Sequence, residues 1–288
     1  MTVTVLIINW NGRDYLSETL KKLPEVSETF RVLIVDNASE DDSVEFIRHE
    51  FPRIQLVANS TFLSFAENLN IGLSQATNSG SEYIWLLGSD VVVDDNSLKY
   101  LLELADKYKD VGMISSKVYV YGNKDRKIHY AGGIMDWYTL LPQNRGQEQV
   151  DVGQFEHDIE TDFAAPISTL IKSRVVKEVG LVDQSYYEGF DWLDYCYKLR
   201  RFSWRLMFSC QSHVWYRQKY KNDLPIFIKD YFSIRNSLLF GLRYGPALTK
   251  LSLIKNAFRQ YFFGTPWQRR AVLDFFTGNF GRGSYQTE

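Results

Sequence analysis

Three short polar segments carry the side chains best suited to chemistry: Asn9-Trp10-Asn11-Gly12, Asp36-Asn37-Ala38-Ser39 and Gly88-Ser89-Asp90. Each one ends a run of apolar residues. In an open parallel sheet, ligands bind in the crevice outside the carboxyl ends of the strands, so acids and amides at those points face whatever enters it. Taken singly, Asp36, Ser39 and Asp90 also read as ordinary caps of turns and helices. Three such segments at equivalent positions predict one shared site.

The elements that must position them follow from hydrophobic periodicity. Strands are expected at residues 2–8, 32–35, 54–57 and 83–87. Helices are expected at 14–23, from Asp41 and Asp42 onward, at 65–75 and at 96–107. This alternation is the pattern of β-α units around a parallel sheet. No Gly-x-Gly-x-x-Gly follows any of these strands, which argues against a nicotinamide-binding site. From residue 111 the pattern loosens into strand-like stretches at 117–121, 161–171 and 204–208, a Gly132-Gly133 turn, and helices at 174–179 and 190–201. After Lys219 the chain turns helical, aromatic and basic, and a boundary is expected between residues 222 and 223.

Composition bounds the partners. With 288 residues, 45% of them hydrophobic, the chain can bury a large core. A net charge of only -2 excludes a bulk electrostatic attraction to nucleic acid. The distribution is uneven: from Arg217 onward twelve Lys and Arg face four Asp and Glu, a net of +8 that leaves -10 on residues 1–216. Cys196 and Cys210 make no disulfide framework or zinc motif and are expected to be buried thiols. With no basic region before the first apolar run, and no apolar stretch near the roughly 18 residues a membrane span needs, a cytosolic chain is expected.

Several segments together, IINWNG at residues 7–12, VDNASEDDSVEF at 35–46, SFAENLNIGL at 64–73, VGLVD at 179–183 and DWLDYC at 191–196, resemble the family 2 glycosyltransferases of GT-A fold, in their bacterial rhamnosyltransferase-like branch. The resemblance implies an α/β domain over residues 1–222, with a Rossmann-like, mixed but mainly parallel sheet flanked by helices, and a helical region over 223–288. It also implies inverting transfer of a sugar from a UDP- or dTDP-type donor to a hydroxyl of a glycan or lipid-linked acceptor. Asn9, Asn11, Asp36, Asn37, Ser39, Asn70, Ser89 and Asp90 would line the donor side. Carboxylate and amides suit the N–H and carbonyls of a pyrimidine base. Asp90 would help hold Mg2+ or Mn2+ against the diphosphate.

The departures from that pattern fall on the metal and the base. Gly88 stands where an oxygen ligand is usual, so the cation is expected to be weakly held or absent. Trp192 stands where the second acid of a pair usually acts as base, leaving Asp191 for that role. Asp191 equally reads as a helix cap, with Asp194 in an acidic capping box. Asp194 and Trp192 are otherwise placed on the acceptor side. Tyr216 occupies a position often held by a metal-binding histidine, and His213 would face the other way on a strand. Phe62, Ser64 and Ala165-Pro166 also differ from the family. Two readings stay open: a transferase with a variant mechanism, or a catalytically silent module that binds a nucleotide, glycan or partner protein.

In the tail, Leu251, Ile254, Phe258 and Phe262 recur at helical spacing among Lys250, Lys255 and Arg259. Such a face either packs on the catalytic domain or lies on an anionic membrane surface, which would make the protein peripheral on the inner face of the membrane.

Overall fold

A computed structural model describes residues 1–218 and 224–285, so the expected boundary between 222 and 223 lies outside the described residues. The first part alternates as the apolar pattern requires: β1 (Val3–Asn9), α1 (Arg13–Lys21), β2 (Phe30–Asp36), α2 (Ser43–Glu50), β3 (Gln55–Ala58), α3 (Phe65–Asn78) and β4 (Tyr83–Gly88). The less regular middle contains β5 (Val91–Val93), α4 (Ser97–Lys107), β6 (Val111–Val120), β7 (Ile128–Tyr130), β8 (Gly133–Asp136), β9 (Leu141–Asn144) and β10 (Ile159–Glu160). It closes with β11 (Ser168–Lys172), α5 (Ser173–Val179), α6 (Asp191–Arg201) and β12 (Arg205–Tyr216). The basic tail forms α7 (Ile226–Tyr244), α8 (Ala247–Phe263) and α9 (Pro266–Thr277).

The main sheet runs β3-β2-β1-β4-β11-β6-β12-β10. β1 to β4 are mutually parallel, β11 runs antiparallel between β4 and β6, and β12 returns parallel to β6. The sheet is therefore mixed and mainly parallel. Strands buried on both faces need apolar residues at every position, and Val5-Leu6-Ile7 and Val32–Val35 are all buried.

Two elements are longer than periodicity predicts. β6 starts at Val111 because it is covered on both faces throughout, so no polar alternation marks its beginning. β12 reaches Tyr216 through a register shift between Ser209 and His213, beyond which it pairs with β5 and the end of β6. A bulge of this kind interrupts the alternation that sequence patterns rest on.

α3 illustrates how local signals and packing agree. Ser64 caps it, receiving the Glu67 N–H while the Glu67 carboxylate takes the Ser64 N–H at 2.8 Å. Its Gly72 faces β1 so closely that a Cβ there would fall 2.2 Å from Leu6 Cδ1 and 2.6 Å from Leu6 Cδ2. Gly72→Ala should therefore overpack the helix against the sheet and cost about 1–3 kcal/mol. A urea titration should show a lower midpoint with an unchanged slope, and an unaltered midpoint would refute this account of the contact.

Candidate active site

β1 and β2 end in register, with Asn9 opposite Asp36. Asn9 Nδ2 donates to Asp36 Oδ2 at 2.8 Å and to Ser39 Oγ at 3.3 Å. Ser39 returns along the same carboxylate, its N–H on Oδ1 at 2.9 Å and its hydroxyl on Oδ2 at 2.7 Å. Asp36 is fully buried. Three of its roughly four acceptor positions are thus filled by the chain's own donors. Asn11, at φ 50°, donates its N–H to Ser39 Oγ at 2.9 Å and accepts the Glu40 N–H on its side-chain oxygen at 2.8 Å. The two loops are cross-braced into one floor.

Asn9 Oδ1 is buried in that floor and has no hydrogen-bond partner. Gly12 explains how it is approached. A Cβ on Gly12 would fall 2.2 Å from Asn9 Oδ1 and 3.4 Å from Ser89 Oγ, so the absence of a side chain lets the tips of β1 and β4 converge. A buried acceptor costs free energy until an N–H or O–H reaches it, which marks this point as a place for a polar ligand.

At the tip of β4 the turn is pinned from two sides: Thr19 Oγ1 of α1 donates to Ser89 O at 2.9 Å, and the Arg217 N–H donates to Asp90 O at 3.2 Å. Asp90 is buried. A Cβ on Gly88 would lie 3.3 Å from Asp90 Oδ1 and 2.9 Å from Val91 Cγ2. A second acid at position 88 would thus crowd this placement of Asp90.

Among the described residues no group of three or more His, Cys, Asp or Glu converges as a metal cage. Ser89 and Asp90 at the tip of β4 offer one hydroxyl and one carboxylate, a donor set that would hold Mg2+ or Mn2+ only with most of its coordination completed by other oxygens. No histidine joins them. His213 turns its ring to Tyr119 with Nε2 2.9 Å from Cys210 O, and Tyr216 packs edge-on against His129.

The third wall comes from α6. The segment at residues 164–167 links it to β4: Trp192 Nε1 donates to Ala164 O at 2.7 Å, and the Gly88 N–H donates to Ile167 O at 2.9 Å. Asp191 Oδ1 accepts the N–H of the next residue, Trp192, at 2.8 Å. The expected acidic capping box does not form, because Phe190 before it is left-handed at φ 69° and supplies its carbonyl to the Asp194 N–H. Burial pushes the Asp191 carboxyl up to about 7, with the charges of Glu188 and Asp194 adding to the effect. A carboxylate tuned this way is suited to accept a proton near neutral pH.

Several expected site residues serve the frame instead. Both ends of the Asn70 amide are taken by the Val182 main chain at 2.9 Å, and both ends of the Asn37 amide by the Leu63 main chain. Asp194 is fully buried and accepts from Tyr186 Oη at 3.0 Å and Arg243 Nη1 at 2.7 Å, which fastens α7 to α6. Trp192 is buried by its bond to Ala164, so it offers no free face to a sugar. Of the two cysteines, Cys196 is buried as expected and Cys210 only partly.

Sequence reasoning missed an aromatic lip. Trp10 and Phe62 meet edge to face at 5.2 Å, 40% and 38% exposed. Arg282, from the far end of the chain, donates to Phe62 O at 3.2 Å and lies over Tyr187. An aromatic residue directly after a strand tip was the available signal.

A sequence model described as glycosyl transferase family 2 matches residues 4–165. Among solved structures, GalNAc-T7 with UDP, GalNAc and Mn2+ superimposes at a TM-score of 0.61 and 16% identity, over 89% of this chain and 54% of that one. The chain thus spans about half the length of GalNAc-T7. S. aureus TarS 1-349 gives 0.59 at 12% identity, over 96% and 79%. The mannosyltransferase PcManGT from Pyrobaculum calidifontis, in complex with GDP-Man and Mn2+, gives 0.56 at 14%, over 99% and 76%. A search of curated proteins found no match. At these identities the structures establish a shared GT-A fold, and the sequence match, which takes in the tips of β1, β2 and β4 together, establishes kinship: the chain belongs to glycosyl transferase family 2.

Proposed function

We propose that the chain moves a sugar from a nucleotide-sugar donor, of UDP or dTDP type, to a hydroxyl of a glycan or lipid-linked acceptor, with inversion at the anomeric carbon. The observation that carries this reading is Asp191, a buried carboxyl pushed up by burial at the start of the helix that residues 164–167 tie to the tip of β4. Structures of similar fold hold UDP, UDP-GlcNAc and GDP-Man, which favours a nucleoside diphosphate as leaving group.

In this mechanism the braced floor of Asn9, Asn11, Asp36 and Ser39 receives the base, with Asn9 Oδ1 taking a donor hydrogen, and Trp10 and Phe62 flank it. Asn37 and Asn70 act indirectly, by holding the loops. Asp191 removes the acceptor hydroxyl proton as that oxygen bonds to the anomeric carbon and the glycosidic electrons leave with the diphosphate. When bound, Mg2+ or Mn2+ would supply positive charge to the leaving diphosphate, with Asp90 and Ser89 as its protein contacts.

The tail adds a location. On α8 the face toward the body is made by Thr249, Leu253 and Ala257, whereas Leu251, Phe258 and Phe262 remain 67%, 59% and 61% exposed. Lys255 and Arg259 border that stripe. An apolar stripe edged by cations suits an anionic membrane surface, and we assign it a peripheral contact there. No helix among the described residues is long and apolar enough to cross a membrane.

Transfer should rise about tenfold per pH unit below 7 and level off above it, since only the deprotonated Asp191 acts. Asp191→Asn should keep donor-induced thermal stabilisation yet lose about a hundredfold or more in transfer. It should also be more stable than the parent at pH 8, by on the order of 4 kcal/mol, because the folded parent holds a buried charge there; the gain fades as pH falls toward 4, where the group is protonated in the folded state and increasingly so in the unfolded one. Donor stabilisation of the parent with no transfer to any acceptor would favour a silent binding module. For the tail, co-sedimentation with phosphatidylglycerol vesicles at low salt should be lost in Phe258→Asp combined with Phe262→Asp, and a parent protein that ignores such vesicles would remove the assignment.

A further inference from the structure

We propose a second ligand site: a basic cavity at the opposite end of the strands from the crevice, which binds a phosphate-type oxyanion. β4 and β11 are antiparallel, with Leu87 opposite Ser168 at the crevice end and Tyr83 opposite Lys172 at the far end. Beyond that far end, a cavity of about 360 Å³ opens between β4, α4 and α5. Its charged lining is Lys109, Lys172, Arg174 and Lys177 against a single carboxylate, Glu82.

That charge is largely uncompensated. Glu82 lies 3.7 Å from the amino group of Met1, and Lys109 lies 3.7 Å from Asp106. Lys172, Arg174 and Lys177 have no ion pair among the described residues. Lys172 is buried, and its ammonium donates only to main-chain oxygens, Tyr108 O at 2.8 Å and Lys109 O at 3.5 Å. A buried cation without a counter-ion is costly. Consistent with that cost, burial, aided by the charges of Arg174 and Lys109, pulls the Lys172 ammonium down to about 8, while the carboxylates of Asp106 and Asp110 oppose the change.

A second, independent feature points to a ligand. The Ser173 hydroxyl also lines the cavity, and its oxygen is buried with no hydrogen-bond partner. Buried hydroxyls are ordinarily satisfied. A tetrahedral oxyanion would answer both demands, taking a hydrogen bond from Ser173 and charge-assisted bonds from the ammonium and guanidinium groups. A carbohydrate hydroxyl would satisfy Ser173 but leave the charge, and a simple halide would relieve the charge with less hydrogen bonding. The ligand is thus a phosphate, either a free monoester-type ion or the phosphodiester of a larger molecule.

The site stands apart from glycosyl transfer, so its test needs no turnover. Titration calorimetry of the full chain should show saturable binding of inorganic phosphate at constant ionic strength, with no response to chloride. Arg174→Ala combined with Lys177→Ala, both exposed positions, should raise the dissociation constant at least tenfold, and Ser173→Ala should raise it severalfold. Asp90→Asn in the crevice should leave it unchanged. Dimethyl phosphate separates the sources: binding of phosphate alone identifies a monoester-type ion, and binding of both identifies a diester group. No binding of either, an equal response to chloride, or a titration unaltered in the double variant would overturn the proposal.

Discussion

The site rests on one buried carboxylate. Asp36 holds Asn9 of the neighbouring strand and both donors of Ser39, and these bonds set the separation and register of the first two strand tips. With three donors gathered on one buried group, each bond is stronger than it would be at the surface, and losing the acceptor would strand all three donors. The fixed position of Asn9 then requires a glycine at position 12. That glycine in turn lets Ser89 approach, so the tip of the fourth strand is located by the same chain of contacts. A floor formed this way is held in place by the chain's own hydrogen bonds.

Helix α6 is located by a different device. Arg243 of α7 bridges Asp194 and Asp183, at 2.7 Å and 2.8 Å, so α6 is fastened from the tail. The tail is therefore packed on the α/β body on one face and exposed on the other. Trp137 stacks on Phe240 and meets Tyr197 edge to face, while Tyr231 donates to Asp274 within α9's contact with α7. The tail's cations divide in the same way: Arg235 and Arg243 turn inward, whereas Lys255, Arg259, Arg269 and Arg270 are exposed.

Much of the architecture was legible. The alternation of apolar runs and amphipathic stretches located β1 to β4 and α1 to α4 within a few residues, because parallel strands covered on both faces cannot tolerate polar positions. The three polar strand ends were visible for the same reason, as abrupt breaks in obligatory apolar runs. β6 and β12 were read too short, since a fully buried strand has no alternating mark and a bulge resets the period. Asn37 and Asn70 looked like ligand groups by type. Their partners, Leu63 and Val182, lie 26 and 112 residues away, and nothing local signals that an amide is already committed.

By itself the sequence determined the order of elements, the polar character of the strand tips and the amphipathic spacing of the tail, since each depends on neighbours within a few residues. Only the tertiary structure decided which polar groups remain for a ligand, which stripe of α8 is covered, and why Gly88 accompanies Asp90. Those outcomes depend on distances between residues far apart in the chain, where a hydrogen bond or a van der Waals contact of a few ångströms is either made or not, and short-range pattern carries no record of it.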